Sequence, residues 1–278
     1  MSSKKVSGIV TRYANYRDND RMVNIMTDNG IIGAAARGCR RQNSPLLSAA
    51  ELFVYGEFVL FERQGKYTVD SCEVRESFYP LRQDMDRFAA GMHALELVND
   101  LAPEGEKSGG LLKLLYYALS YMAFTDKDPM DLAICFTIKC LALLGYTPTI
   151  TSCACCGQDI RDHVRMGFDP EAGGAVCSDC MIGDSKRISP LSLEAMRRML
   201  LLGDDEMNRV ALPEKVRAEL RRAAGGYASS GNLSFFKTCS TGPAISVSGV
   251  RSSWEILVKK RSFISEICCS MDTSCFNR

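Results

Sequence analysis

The 278-residue chain has an ordinary balance of 46% hydrophobic and 24% charged residues, with a formal net charge of +1. These values are typical of a globular protein and exclude strong overall attraction to polyanions, so such attraction must come from local patches. The length suits two domains, or one larger body with an inserted module. Thirteen cysteines in a chain of this size favour reduced thiols in a cytosol over a secreted disulfide framework.

The hydrophobic segments of the sequence are those expected of a cytoplasmic protein. Lys4 and Lys5 are not followed by the apolar core of a signal peptide. The longest apolar stretch, around Ile134 to Leu144, is interrupted by Lys139 and is too short to span a bilayer. We therefore predict a cytoplasmic location.

The first 77 residues carry the pattern of five short β-strands, with branched and alternating apolar residues. Asp28-Asn29-Gly30 predicts a hairpin turn between the second and third strands, and Arg63-Gln64-Gly65 predicts another between the fourth and fifth. The predicted strands cover residues 6–13, 22–27, 31–37, 51–61 and 66–76. Five strands of this length indicate a small barrel, with the OB fold as the commonest design and an SH3-like barrel as the alternative.

After Pro80 the apolar residues recur at helical spacing. Helices are predicted over 81–101, 111–124 and 129–144, then from Pro190 onward with Ser189 as N-cap, and over 211–224. A less coherent tail follows Cys239, where a last helix is expected to present Trp254, Leu257, Ile264 and Ile267.

The predicted fold class is therefore α+β and multidomain. An OB-fold barrel is expected at residues 1–79, and an α-helical domain at residues 80–150 plus 185–278. A four-cysteine zinc module at residues 151–184 is expected as an insertion in the helical domain.

Two cysteine pairs, Cys153-x2-Cys156 and Cys177-x2-Cys180, define that module. Each C-x-x-C turn can direct two sulfurs at one metal, and two such turns complete the tetrahedral shell that zinc favours. Because four protein ligands leave no coordination position open, we expect one structural zinc ion per chain. The alternatives are two unrelated redox or free-thiol pairs, and His163 as a competing ligand.

Basic residues are concentrated at the start of the chain. The first 41 residues hold eight Lys or Arg and three Asp, a local excess of five positive charges. Tyr13 and Tyr16 lie among them. A barrel with a basic rim and aromatic rings is a common way to hold single-stranded nucleic acid. The alternative is a solvated charged surface, with the tyrosines packed in the barrel.

Catalytic motifs are missing from the sequence. It contains neither the G-x-x-x-x-G-K-[ST] loop of P-loop enzymes nor a G-x-S-x-G nucleophile elbow. His93 and His163 are the only histidines, and no H-x-E element accompanies the cysteine pairs as a zinc deaminase requires. We therefore expect a protein that is not an enzyme.

The motifs around the cysteines resemble those of a known family. The run from Phe136 to Pro148 leads into the first pair, and Phe168-Asp169 and Gly173-Gly174 precede the second. Together they are similar to the zinc-containing branch of the bacterial RecO family of recombination mediators. The N-terminal segments agree with that family's barrel and with the start of its helices: Gly8-Ile-Val-Thr-Arg12, Thr27 to Gly30, Ala36-Arg-Gly-Cys-Arg-Arg41 and Phe78-Tyr-Pro-Leu-Arg82. The resemblance covers residues 4 to about 237 and fades after Thr238.

This resemblance implies a DNA repair and homologous recombination mediator in the bacterial cytoplasm, associated with the nucleoid. Such a protein would bind single- and double-stranded DNA without sequence preference and anneal complementary strands. It would contact the acidic C-terminal tail of the single-strand-binding protein and, with RecR, help to load RecA.

Carried over to this sequence, the resemblance assigns DNA binding to the basic N-terminal stretch. Arg37, Arg40 and Arg41 are the main candidates, with Lys4, Lys5, Arg12 and Arg17 in support. Two alternatives belong to other classes: a zinc-ribbon and OB interaction module with no role in nucleic-acid binding, and an RNA-binding protein without annealing activity.

Overall fold

The protein is described from a computed structural model over residues 2–102, 107–161, 165–181 and 186–229. His163 and the predicted tail helix with Trp254, Leu257, Ile264 and Ile267 lie outside these residues.

Five N-terminal strands close into a barrel in the order β1-β2-β3-β5-β4. They are β1 (Ser2–Tyr16), β2 (Asp20–Thr27), β3 (Gly30–Ala36), β4 (Tyr55–Arg63) and β5 (Lys66–Glu76). β1 is long because its first half pairs with β4 and its second half pairs with β2. A short parallel pairing of β3 with β5 completes the closure. This strand order is that of an OB-like barrel and not of the SH3-like alternative.

Both predicted hairpin turns are present. Gly30 has a φ of +85° in the β2–β3 turn, while Gln64 and Gly65 have φ values of +53° and +72° in the β4–β5 turn. Two consecutive left-handed residues match the right-handed twist of the flanking strands, which makes the β4–β5 hairpin tight.

The predicted start of the fourth strand, at residue 51, is wrong by four residues. Phe53 has a φ of +69° and is fully buried, with its ring 5.8 Å from that of Phe88. The segment before Tyr55 bonds to β1 through the Phe53 backbone N–H and the Val10 carbonyl at 3.0 Å, but the left-handed Phe53 breaks the regular strand and directs its ring to the helical body. Alternation of apolar residues alone does not reveal this change of direction.

The five predicted helices are all present, with bounds that differ from the predicted ones by up to five residues. They are α1 (Met85–Leu101), α2 (Gly109–Phe124), α3 (Pro129–Leu143), α4 (Pro190–Leu201) and α5 (Glu214–Ser229). α1 begins four residues later than predicted because the side chain of Asp84 caps it, accepting from the Arg87 backbone N–H at 2.8 Å. Ser189 is the N-cap of α4, as predicted. Within the described ranges, none of the helices has the length and apolar character needed to cross a membrane.

The helical body packs against one end of the barrel. The carbonyl of Asp28, in the β2–β3 turn, accepts from the Ser108 backbone N–H at 2.6 Å, and Thr11 donates to Asn99 at 3.0 Å. Ile9 and Met26 of the barrel belong to the same apolar core as the helices. The β1–β2 turn and the β4–β5 hairpin lie at the other end of the barrel, called the free end below.

Between α3 and α4 the chain forms a small separate sheet in the order β7-β6-β8. Its strands are β6 (Met166–Asp169), β7 (Gly174–Cys177) and β8 (Lys186–Ile188). Gly174 also bridges Thr149, and a Cβ at this glycine would lie 2.2 Å from the Thr149 carbonyl oxygen. Glycine is therefore required there, and this contact joins the sheet to the segment that carries the first cysteine pair.

Candidate metal centre and nucleic-acid interface

The four predicted metal ligands come together. The sulfurs of Cys153, Cys156, Cys177 and Cys180 all lie within 4.8 Å of one another, and the Cys156 and Cys177 sulfurs are 3.8 Å apart. A tetrahedron with Zn–S bonds of about 2.3 Å has sulfur–sulfur edges of about 3.8 Å. The donor set and its spacing therefore fit a four-coordinate metal ion.

Backbone N–H groups favour the thiolate form of one cysteine in this cluster. Burial opposes ionisation of Cys153, but backbone N–H groups of Cys156, Cys177 and Cys155 stabilise its thiolate, and its pKa falls to about 6. Hydrogen bonding with the sulfurs of Cys177 and Cys156 raises the pKa of Cys180, because neighbouring thiolates disfavour further ionisation. A cation at the centre of the four sulfurs would remove that repulsion.

Cys155 lies next to the cluster but does not belong to it. Its side chain is exposed, and its sulfur is not among the four that converge. Gly157 and Gly173, which lie beside the pairs, have positive φ values of +76° and +81° that glycine adopts readily.

The free end of the barrel assembles four of the seven predicted DNA-binding residues. Arg17 lies in the β1–β2 turn, and Arg37, Arg40 and Arg41 follow the end of β3. The Arg40 backbone N–H donates to the Asn19 carbonyl at 3.1 Å, and its guanidinium donates to the Asp18 carbonyl at 3.2 Å. These bonds hold the segment after β3 against the β1–β2 turn, while all four arginine side chains are exposed.

The other three predicted residues lie in different surroundings. Lys5 forms an ion pair with Glu57, which also binds Arg75, and these two hydrogen bonds lower the pKa of Glu57. Arg12 lies beside Glu96 of α1 and so faces the helical body; burial raises the pKa of Glu96, and Arg12 opposes that rise. Lys4 is exposed on β1, opposite Leu60 of β4.

Arg21 and Tyr13, both from the basic N-terminal stretch, contact other parts of the barrel. Arg21 binds Glu51 at 2.6 Å and the Ala50 carbonyl at 3.0 Å, and its guanidinium lies 4.1 Å from the Tyr13 ring centroid. Arg21 and Tyr13 therefore stabilise the barrel, in line with the packing alternative for this tyrosine. Tyr16 is half-exposed, with Arg17 over its ring at 5.1 Å.

A groove at the free end contains basic residues that the sequence analysis did not select. It has a volume of about 640 Å³ and lies between the β4–β5 hairpin and the segment after β3. Arg37 shares it with Phe61, Arg63 and Lys66. The pattern of two cations flanking the Gln64-Gly65 turn was visible in the sequence. The pairing of β3 with β5, which brings Arg37 to this hairpin, was not.

Comparisons with known proteins place the whole described chain in one family. The model for the recombination protein O N terminal matches residues 1–78, and that for the recombination protein O C terminal matches residues 82–230. A DNA repair protein RecO of Acetivibrio thermocellus is 34% identical over 230 residues, covering 82% of this chain and 91% of the relative. Another, of Symbiobacterium thermophilum, is 33% identical over 232 residues with the same coverage of 82% and 91%.

A third relative, the DNA repair protein RecO of Alkaliphilus metalliredigens, is 31% identical over 226 residues, 80% of this chain and 91% of the relative. The family models meet at residues 78–82, where the barrel gives way to the helices. The chain belongs to the RecO family.

Proposed function

We propose that this chain is a DNA repair and recombination mediator that binds DNA without sequence preference and anneals complementary single strands. Membership of the RecO family supports the repair role, because its relatives are named DNA repair proteins. The observation that carries the DNA-binding site is the assembly of Arg17, Arg37, Arg40 and Arg41 at the free end of the barrel.

Charge neutralisation is the proposed basis of annealing. Two complementary strands repel each other through their phosphates, and arginines that bind those phosphates release condensed counterions. One basic surface can therefore hold two strands close together without nucleotide hydrolysis. Phosphate contacts carry no base information, so complementarity between the strands alone would select the partner. The proposed activity needs no catalytic residue, and in this proposal the protein is not an enzyme.

The four cysteines would hold a structural zinc ion in this proposal. A closed tetrahedral thiolate shell offers no position for substrate or water, so its contribution is to folding. The chain's own residues then fix the module: Cys153 donates its backbone N–H to Gln158 at 2.7 Å, and Ala154 donates to Ala175 at 2.8 Å. The first bond closes the turn of the first cysteine pair, and the second attaches that turn to β7, which carries Cys177.

The proposed partners follow from the family resemblance. RecR would join this chain to load RecA onto DNA coated by the single-strand-binding protein. The acidic C-terminal tail of that protein would bind an apolar groove with cationic edges on the helical body. The proposed location is the bacterial cytoplasm, at the nucleoid.

The site is tested with the triple variant Arg37→Ala, Arg40→Ala and Arg41→Ala. We expect at least tenfold weaker binding to single-stranded DNA at moderate salt, and a salt slope smaller by about 2, since each lost phosphate contact removes about 0.7. Fluorescence anisotropy against salt concentration measures both quantities. The matched control removes three exposed arginines of the helical body, Arg197, Arg198 and Arg209, and should bind normally.

Two results would contradict the proposal. No binding of the unmodified protein to an unstructured oligonucleotide at low salt would favour an interaction module without nucleic-acid function. Tighter binding to RNA than to DNA, without strand annealing, would favour an RNA-binding protein.

A further inference from the structure

We infer that the groove beside the β4–β5 hairpin is a base-stacking site for single-stranded DNA, in which Phe61 receives a base and Arg63 and Lys66 receive the adjoining phosphates. This inference rests on the proposed DNA-binding function and adds three residues and a strand preference to it. The groove residues are fixed by the barrel and are not part of the cysteine cluster.

Phe61 is placed to receive a flat ligand. It lies near the end of β4, where β1 and β5 flank it through the pairs Ser3 with Phe61 and Phe61 with Thr68. Its neighbours Leu60 and Phe58 point into the barrel core, whereas Phe61 is 41% exposed and lines the groove. The exposed part of this ring is not covered by the protein, and every nucleobase offers a face to stack on an aromatic ring.

The hairpin also carries two cations that face each other. Arg63 is the cross-strand partner of Lys66, and like charges in that position destabilise a sheet. Both side chains are exposed, and within the described ranges neither forms an ion pair. An anion between them would relieve the repulsion. The tight Gln64-Gly65 turn fixes the separation of the two backbone positions, so both side chains leave the hairpin on the same face, where one phosphate can contact both.

The rest of the groove agrees with a short stretch of a polyanion. Arg37 enters it from the segment after β3, so the groove is continuous with the arginines of the free end. Ser44 and Thr68 add hydroxyl groups. Glu62 and Asp70 also line it, which leaves a small positive excess. The volume of about 640 Å³ lies in the range of pockets that hold small organic ligands, enough for a nucleotide but not for a duplex.

These features predict a preference for single-stranded over double-stranded DNA. In a duplex both faces of each base are covered by neighbouring base pairs, so Phe61 can stack only on an unpaired base. The cations bind phosphate in either form. The groove should therefore add affinity for single strands beyond that of the basic surface, and this extra affinity should require bases.

The experiment compares the full-length protein with Phe61→Leu, Phe61→Trp and the control Tyr79→Leu on three probes. Tyr79 is 56% exposed and lies outside the barrel, so it matches the loss of an exposed ring. The probes are an oligothymidylate, the same backbone with abasic sites, and a blunt duplex. Thermal melting of each variant verifies the fold.

We expect Phe61→Leu to bind oligothymidylate about tenfold more weakly and the duplex and abasic probes normally. Phe61→Trp should bind like the unmodified protein, and oligothymidylate should quench its added fluorescence. The double change Arg63→Gln and Lys66→Gln should weaken binding to all three probes. Tyr79→Leu should bind all three normally.

Normal oligothymidylate binding by Phe61→Leu would overturn the inference. So would an equal loss on the duplex, since that would show a role in packing and not in stacking. In either case, weaker binding by the triple arginine variant would leave the proposed function intact. If the unmodified protein bound none of the probes, the proposed function itself would be wrong.

Discussion

The cysteine cluster and the free end of the barrel each gather groups of like charge, but the four sulfurs surround one closed site whereas the cations line an open groove. Four sulfurs converge within 4.8 Å and enclose a space that suits a metal ion. Arg37, Arg63 and Lys66 line an open groove and form no ion pair among the described residues. A closed cluster contributes to stability, whereas an open one costs stability and contributes to binding. Substitutions in the two regions should therefore have opposite consequences.

The largest expected effect is that of Cys177→Ser. Cys177 is buried, and its sulfur lies 3.8 Å from that of Cys156. Because metal binding to such a site is coupled to folding, we expect the bound metal to be lost and the free energy of unfolding to fall by at least about 4 kcal/mol. Elemental analysis and urea unfolding measure these changes. DNA affinity of the remaining folded protein should not change.

The neighbouring Cys155→Ser is the matched control. Its side chain is exposed and outside the cluster, so metal content and stability should be unchanged. Equal losses in both variants would show that the spacing of the two pairs does not define the ligands.

A paired charge inside the helical body provides the second comparison. Asp131 is 2% exposed and accepts from the Leu212 backbone N–H at 2.9 Å and from Arg217 at 3.2 Å. Asp131→Asn should lower the free energy of unfolding by about 2 kcal/mol, because it removes the buried carboxylate bound to Arg217 and leaves that guanidinium only the more exposed Asp128. Glu194→Gln, in an exposed cluster with Arg197, should lower the free energy of unfolding far less, because solvent screens an exposed ion pair. Similar urea midpoints for the two variants would contradict this account.

Burial of His93 predicts a pH dependence of stability. Burial lowers the pKa of His93 from 6.5 to about 4, and its Nε2 lies 2.9 Å from the Thr137 hydroxyl. The unfolded chain binds a proton below about pH 6.5, but the folded chain does not until about pH 4. This contribution is therefore complete above pH 6.5 and is lost as the pH falls, by about 2 kcal/mol at pH 5.

His93→Gln tests this assignment because glutamine can bond Thr137 without titrating. The difference in unfolding free energy between the two proteins should shrink by about 2 kcal/mol between pH 7.5 and pH 5. Parallel stability curves over that range would show that another group is responsible.

The smallest expected effect is a gain in the free energy of unfolding. Lys66→Thr removes one of two like charges that face each other, so the free energy of unfolding should rise by a few tenths of a kcal/mol. The same change should weaken single-strand binding and reduce its salt slope by about 0.7. Lys5→Thr is the control, because Lys5 is paired with Glu57 and its loss should slightly lower stability. A loss of stability in Lys66→Thr would contradict the idea of an open, unsatisfied site.

The two regions also differ in how far the sequence predicted them. The C-x-x-C spacing identified all four cysteines whose sulfurs converge, because each pair forms a local turn and two pairs can complete one shell. Likewise the Asn29-Gly30 turn and the Ser189 cap depend on neighbouring residues and were predicted correctly. Local chemistry determines these features.

The basic site was predicted only in part because it depends on long-range pairing. Charge counting could not show that Arg21 binds Glu51 or that Lys5 binds Glu57. It also did not select Phe61, which shares a groove with Arg37 only because the barrel closes through β3 and β5. Residues brought together by strand pairing have no fixed spacing in the sequence.

The central claim is that the free end of the barrel brings two DNA strands together, and strand annealing tests it most directly. The measurement is the rate of annealing of two complementary labelled oligonucleotides, with and without the single-strand-binding protein, followed by energy transfer. The unmodified protein and the control without Arg197, Arg198 and Arg209 should accelerate annealing equally. The variant without Arg37, Arg40 and Arg41 should lose at least nine-tenths of that acceleration with its fold intact. Full acceleration by this variant would contradict the account.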